Sequence, residues 1–237
     1  MAMSELERLA DFDPQKVPVT HIDTDLRPLA PEQMSQGYVR MRFQNGSQNW
    51  YHEQWNQGLF RFAVWRQAAV LLPLVDRGGE LFVLLTRRSQ HLKSHAGQIG
   101  FPGGKVEPQD ANAVETALRE TCEEIGLAPQ LVETLGTLPK CRTGTAFEIT
   151  PAVGLVQALP ELKLQQSEVD EAFMVPLAYL MTPANHRWHA FERQKKDGST
   201  VVWRWLSIAY EQQGQHYFIW GATAEILRGL YWFLRAE

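Results

Sequence analysis

Apolar and polar positions change rhythm along this 237-residue chain in a way that predicts a mixed α/β architecture. The continuous apolar run Ala68–Val75 predicts a buried strand. Leu81–Thr86 predicts its hairpin partner across the turn Asp76-Arg77-Gly78-Gly79. Strand-like stretches at Leu131–Leu138 and Ile149–Val156 flank a Thr143-Gly144-Thr145 loop. Val201–Ala209 alternates, and Gln212-Gln213-Gly214 separates it from Tyr217–Trp220. Pro176–Leu180 predicts a short helix. Thr223–Leu234 predicts an amphipathic one, with apolar residues at 226, 227, 230 and 234. A further helix is predicted close to 111–125, with Asp110 as its N-cap and Gly126 as its stop. Residues 1–60 have another character: they are polar, with Pro14, Pro18, Pro28 and Pro31, followed by Trp50, Tyr51, Trp55 and Phe60. They are expected to form an irregular extension that packs through those rings onto a main domain at 61–237.

The 111–125 helix carries the densest chemistry. At about 100° per residue, Val114, Ala117, Leu118, Thr121 and Ile125 form an apolar face, and Glu120, Glu123 and Glu124 project together from the other. Like charges three and four residues apart cost a few tenths of a kcal/mol each, so the cluster calls for a cation. Arg119 is placed to orient Glu123, but one guanidinium does not neutralise the set. A hard divalent ion, which prefers carboxylate oxygens, would. Upstream lies Gly100-Phe101-Pro102-Gly103-Gly104-Lys105-Val106, where paired glycines allow close backbone approach to a ligand. A glycine turn beside an acidic helix suits a phosphate-bearing substrate whose oxygens share a metal with the protein. The turn is not a P-loop, because Val106 follows Lys105 and Ile99 stands where a glycine is required.

Gly104 with Arg119-Glu120-x-x-Glu123-Glu124-x-Gly126-Leu127 resembles the box of the Nudix hydrolases. Asp110 replaces the usual glutamate, Ala111 to Leu118 stretch the spacing by one residue, and Thr121 sits where an aliphatic residue is usual. A second segment, Leu84-Leu85-Thr86-Arg87-Arg88-Ser89-x-x-Leu92-x-x-His95-x-Gly97-Gln98-x-x-Phe101-Pro102-Gly103-Gly104, resembles the coenzyme A pyrophosphatase branch of that family. Leu138-Pro139 with Thr143-Gly144-x-x-Phe147-x-Ile149-Thr150-Pro151, and Tyr217-Phe218-Ile219-Trp220-Gly221-x-Thr223-Ala224, are similar to the same branch. The resemblance implies a Nudix-type α/β/α sandwich with a mixed central sheet. It also implies hydrolysis of the coenzyme A diphosphate, with acyl-coenzyme A a further candidate, to 3′,5′-ADP and 4′-phosphopantetheine. Magnesium or manganese would be held by Glu120, Glu123, Glu124 and the Gly103 backbone, with Arg119 aligning the acids. Glu120 or Glu168 would be the base. Glu168 opens a segment similar to one whose glutamate often joins the metal in this family. Arg87, Arg88, Lys93, His95 and Gly104 are the candidate substrate contacts.

Composition changes this picture little. The net charge of −4 offers no basic footprint for nucleic acid. The apolar run is too short to span a membrane, and the N-terminus has no evident signal peptide. A cytoplasmic enzyme acting on a small nucleotide is the expectation. Oligomeric state is left open, a homodimer being compatible. Cys122 and Cys141 make no disulfide framework, and His91 and His95 lack further zinc ligands at a suitable spacing. The competing readings are a hydrolase of ADP-ribose, NADH or another nucleoside diphosphate derivative, and a Nudix-like sensor that binds without turnover. The intact acid set argues against the sensor, and the 84–104 segment argues against the other substrates.

Overall fold

A computed structural model describes residues 12–45, 53, 56, 59, 62–92, 94–194 and 198–236. Its core is a mixed sheet of β2 (Arg66–Arg77), β3 (Glu80–Arg88), β4 (Ile99–Gly100), β6 (Val132–Thr137) and β8 (Phe147–Val156), in the order β4-β3-β2-β8-β6. Short β5 (Gly103–Lys105) pairs with β2, β7 (Cys141–Arg142) with β8, and β9 (Val169–Pro176) with β3. Strands β2 and β8 run parallel, Arg66 opposite Phe147 through Val75 opposite Val156. The remaining pairings of this sheet are antiparallel.

The unbroken apolar run of β2 is explained by burial on both faces. Ala69, Leu71 and Val75 join Leu84, Ala152 and Val156 in a core beneath helix α2 (Ala113–Ile125), which contributes Ala117 and Ile125. Leu72 and Leu74 pack with Val83, Leu85, Val153 and Leu155 in a second core on the opposite face. That core is closed by α1 (Gln36–Gln44) through Val39, and by α4 (Gly221–Arg235) through Leu227, Leu230 and Leu234. The expected α/β/α sandwich is therefore present. A second antiparallel sheet adds β1 (Val19–Ile22), β10 (His186–Gln194), β11 (Thr200–Gln212) and β12 (Gln215–Trp220), in the order β1-β10-β11-β12. Short α3 (Leu177–Leu180) lies in the predicted 176–180 stretch.

Some expectations need correction. Asp110 does not cap α2. The cap is Asn112, whose side chain accepts from the Glu115 amide at 3.0 Å, so the helix begins at Ala113. Gly126 does end it, in the left-handed conformation at φ 72°. The extension does contain regular elements: β1 pairs with β10, and α1 buries Val39 completely. Prolines and polar residues had hidden elements whose partners lie some 170 residues away in the chain. Strands β9 and β10 were not anticipated. Trp50, Tyr51, Trp55 and Phe60 lie outside the described residues.

Candidate active site

The site is assembled where β5 passes the side of α2 that carries Glu120 and Glu124. Gly103 and Gly104 pair with Val70 and Ala69 of β2, which brings the glycine strand against the helix. Gly103 is required sterically, and Gly104 leaves room for the Glu120 carboxyl. Gly103 sits at φ 151°, and a Cβ there would fall 2.6 Å from Val70 Cα. A Cβ on Gly104 would stand 2.5 Å from the Glu120 carboxyl carbon. The Gly103 amide donates to Glu124 Oε2 at 3.0 Å.

Arg119 organises the acids around it. Its Nε and Nη2 donate to the two Asp110 oxygens at 2.9 and 3.0 Å, a bidentate pair. Its Nη1 donates to Glu120 and Glu123, each at 3.1 Å, and Nη2 also reaches the Lys105 carbonyl at 3.2 Å. Asp110 thus has a role that helix spacing could not reveal, since it lies nine residues before its partner and outside the helix. The Arg119 hydrogen bonds, joined by the Glu107 amide and Thr116, hold the Asp110 carboxyl well below the usual carboxylate range.

Glu124 has the opposite electrostatics. It is 3% exposed. Burial pushes its carboxyl up to about 7, against the stabilising Gly103 amide and Arg88 and with the added repulsion of Glu120 and Glu168. Burial also raises Glu120, with Arg119 opposing. Glu123 is 60% exposed at its side chain and meets Arg119. Glu168 lies exposed in the turn before β9, with its carbonyl accepting from the Ser89 amide at 2.8 Å. Residues 163 and 165 donate their amides to the last carbonyls of α2, at Ile125 and Glu124, and so hold this turn beside the acidic helix.

The basic candidates are not all gathered. Arg88 Nη1 lies 3.8 Å from Glu124 Oε1. Arg87 turns away from that cluster: Nε is 3.3 Å from Glu171, and the guanidinium lies 5.1 Å from the Tyr217 ring centroid. Adjacent strand residues project to opposite faces, and the β3–β9 register shifts between these two arginines. His95 adopts φ 57° and pairs through Nδ1 with Gln98 at 2.9 Å. Lys93 lies outside the described residues. Phe147 is covered by the Arg66 guanidinium, 3.9 Å from its centroid.

The donor set fits a hard divalent cation in its chemistry. Glu120, Glu123, Glu124 and Glu168 are all oxygen donors, and they outnumber the guanidinium groups of Arg88 and Arg119 beside them. Among the described residues no three Asp, Glu, His or Cys side chains are gathered as a ready ligand set. Arg119 engages one oxygen each of Glu120 and Glu123, and the Gly103 amide one oxygen of Glu124, so each carboxylate keeps a second oxygen that could face an ion.

Fold and site together define a mixed α/β domain with an acid-rich helix under a glycine strand. A model of the NUDIX domain matches residues 65–210, more than half of the chain, and the chain belongs to the Nudix hydrolase family. It is 40% identical over 190 residues to Nudix hydrolases named NudL, themselves uncharacterized, from Salmonella typhimurium and Salmonella typhi. The match covers 80% of this chain and 89% of theirs. Among solved structures, it is similar to the NUDIX domain of Shewanella oneidensis NrtR complexed with ADP ribose (20% identity, TM-score 0.39, 76% of this chain and 89% of that one). It is also similar to a MutT protein from Methanosarcina mazei Go1 (27%, 0.40, 51% and 86%). Nudix hydrolases generally need divalent metal ions. No helix among the described residues is long and apolar enough to cross a membrane.

Proposed function

We propose that this Nudix hydrolase cleaves the diphosphate of coenzyme A, giving 3′,5′-ADP and 4′-phosphopantetheine, with magnesium or manganese bound by Glu120, Glu123, Glu124 and Gly103. The observation that carries the reading is the 84–104 segment, whose resemblance is to the coenzyme A branch and whose Arg88 meets the acid cluster at Glu124. Arg88 Nε, like Nε and Nη2 of Arg87, is buried without a hydrogen-bond partner among the described residues, and of the two arginines Arg88 is the one beside Glu124. An unsatisfied buried guanidinium nitrogen is costly, so it favours an incoming anion such as a substrate phosphate.

In this reading the Gly103-Gly104 backbone admits the diphosphate where side chains would block it. Arg119 keeps Glu120 and Glu123 in register, and Asp110 fixes Arg119 from behind. When bound, a divalent ion supplies charge neutralisation at the diphosphate and a more acidic water. Glu120 or Glu168 takes the proton of the attacking water. Arg88 and His95 would meet the substrate's outer phosphate, which dephospho-coenzyme A lacks. Arg87 is less well placed than the sequence suggests.

Product analysis with intact coenzyme A and magnesium is the direct test. Expected are the two named products, loss of activity in excess chelator, and a kcat at least about 10²-fold lower for Glu124→Gln, the scale of losing a charge-stabilising element. Coenzyme A should exceed dephospho-coenzyme A in kcat/KM by roughly ten- to a hundredfold, as one charge-assisted contact would give. A higher kcat/KM for ADP-ribose or a nucleoside triphosphate would overturn the substrate assignment. Activity undiminished by chelator would overturn the metal assignment.

A further inference from the structure

Among the described residues the Trp220-Gly221-Ala222-Thr223-Ala224 motif is not among the hydrogen-bond or ion-pair partners of the acids, yet one of its side chains reaches the strand that leads to them. Thr223, at the start of α4, is 9% exposed, and its hydroxyl donates to the Ile99 carbonyl at 3.0 Å. On the neighbouring residue, the Thr86 hydroxyl of β3 donates to the Gly100 carbonyl at 3.3 Å. These two carbonyls belong to β4, a two-residue strand with ladder positions only at Gly100–Thr86 and Ile99–Arg87. So short a strand has little hold of its own. Next, the Pro102 carbonyl accepts from the Leu71 amide at 2.9 Å, and the Gly103 amide then donates to Glu124.

We infer that Thr223 and Thr86 form a hydroxyl clamp on β4 that sets the position of the Gly103 amide on Glu124, making Thr223 a positioning residue of the active site. The chain of contacts runs from α4 through Ile99 and Gly100 to Pro102, Gly103 and Glu124, with a hydrogen bond at each of these residues and the buried Phe101 between Gly100 and Pro102. A threonine within a helix usually either points to solvent or returns its hydroxyl to a carbonyl four residues back. Thr223 does neither and gives its only donor to another element. Without it the Ile99 carbonyl, on a residue 6% exposed, loses that donor. The inference rests on Glu124 being part of the reactive site, as proposed above, but not on which diphosphate is the substrate.

The test compares Thr223→Val, which keeps the shape and removes the donor, with Thr223→Ser, which keeps the donor. The valine variant should show faster amide hydrogen exchange at Gly103 and a kcat lowered on the order of ten- to a hundredfold, as small misplacements in an active site produce. Its KM should change less than about twofold, since no substrate contact is removed. The serine variant should recover both readouts. Exchange at Gly103 reads the clamp even if coenzyme A proves not to be the substrate, so the two readings fail separately. Wild-type exchange and kcat in Thr223→Val would overturn the inference, and so would a serine variant as impaired as the valine. Should Thr223→Val not fold, Thr86→Val decides, and unchanged Gly103 exchange in it overturns the clamp.

Discussion

Arg119 serves Asp110, Glu120, Glu123 and the Lys105 carbonyl with one planar guanidinium, while Glu124 is held separately by the Gly103 amide and Arg88. Gly104 matters in a different way, by what it lacks. Since an added Cβ would stand 2.5 Å from the Glu120 carboxyl carbon, Gly104→Ala should displace Glu120 without asking the backbone for a forbidden conformation. The expected result is a kcat lower by about 10²-fold with an unchanged circular dichroism spectrum. An alanine variant with full kcat would show that Glu120 can yield at no catalytic cost. The mutual placement of Glu120, Glu123 and Glu124 was legible from spacing alone, because they lie on one helix and follow its pitch. The ties of Asp110 to Arg119 and of Arg88 to Glu124 were not, because each partner lies on a different segment.

Helix α2 separates stability from activity. Asn112 caps its first turn through the Glu115 amide, and the Glu115 carboxylate returns to the Ala111 amide at 3.0 Å. Asn112→Ala should therefore destabilise the protein by about 1 kcal/mol with kcat nearly unchanged. Asp110→Ala should instead lower kcat, because it removes the pair that orients Arg119. Urea unfolding and steady-state kinetics on both variants check this, and the assignment fails if the two effects are exchanged. Among the described residues, four of the eight strands of the central sheet, β2, β3, β6 and β8, could be read from local patterning. Ala68–Val75 and Leu81–Thr86 lie within β2 and β3, and Ile149–Val156 within β8. Strand β9 escaped notice because Asp170 and Glu171 interrupt its apolar alternation, although β3 pairs with it through Arg87 opposite Glu171.

At the scale of the molecule, the N-terminal segment is tied to the rest by a buried cation. Arg228 of α4, 2% exposed, lies 2.8 Å from Glu53 and 3.0 Å from Asp23, and its Nη1 contacts His186 Nδ1 at 3.1 Å. Burial pushes His186 down to about 4, below its ordinary 6.5, with the Arg228 charge adding to the effect and the Leu180 carbonyl opposing it. The unfolded chain therefore takes up a proton at this histidine near pH 6.5 that the folded chain refuses until about 4. The contribution of His186 to stability is fully present above about 6.5 and is lost as pH falls toward 4. His186→Gln, which does not titrate, should be less stable than the parent at pH 7.5, and the gap should narrow by pH 5. The buried acids Glu124 and Glu225 are both raised to about 7 and act in the opposite sense, but both proteins share them. Thermal melts of the pair at the two pH values check the claim, and a constant gap would refute it.

By itself the sequence determined the mixed α/β class, the acidic helix, the glycine turn and the family resemblance, because each depends on periodicity or spacing within a few tens of residues. Tertiary structure alone decided that β1 and α1 belong to the folded body and that Arg88 meets the acids while Arg87 turns to Tyr217. It also decided that Thr223 reaches Ile99 across the fold. Those outcomes depend on which buried faces meet and on which polar group finds its partner after collapse. A local pattern cannot carry that information, because a strand shows which of its residues alternate but not what lies opposite them.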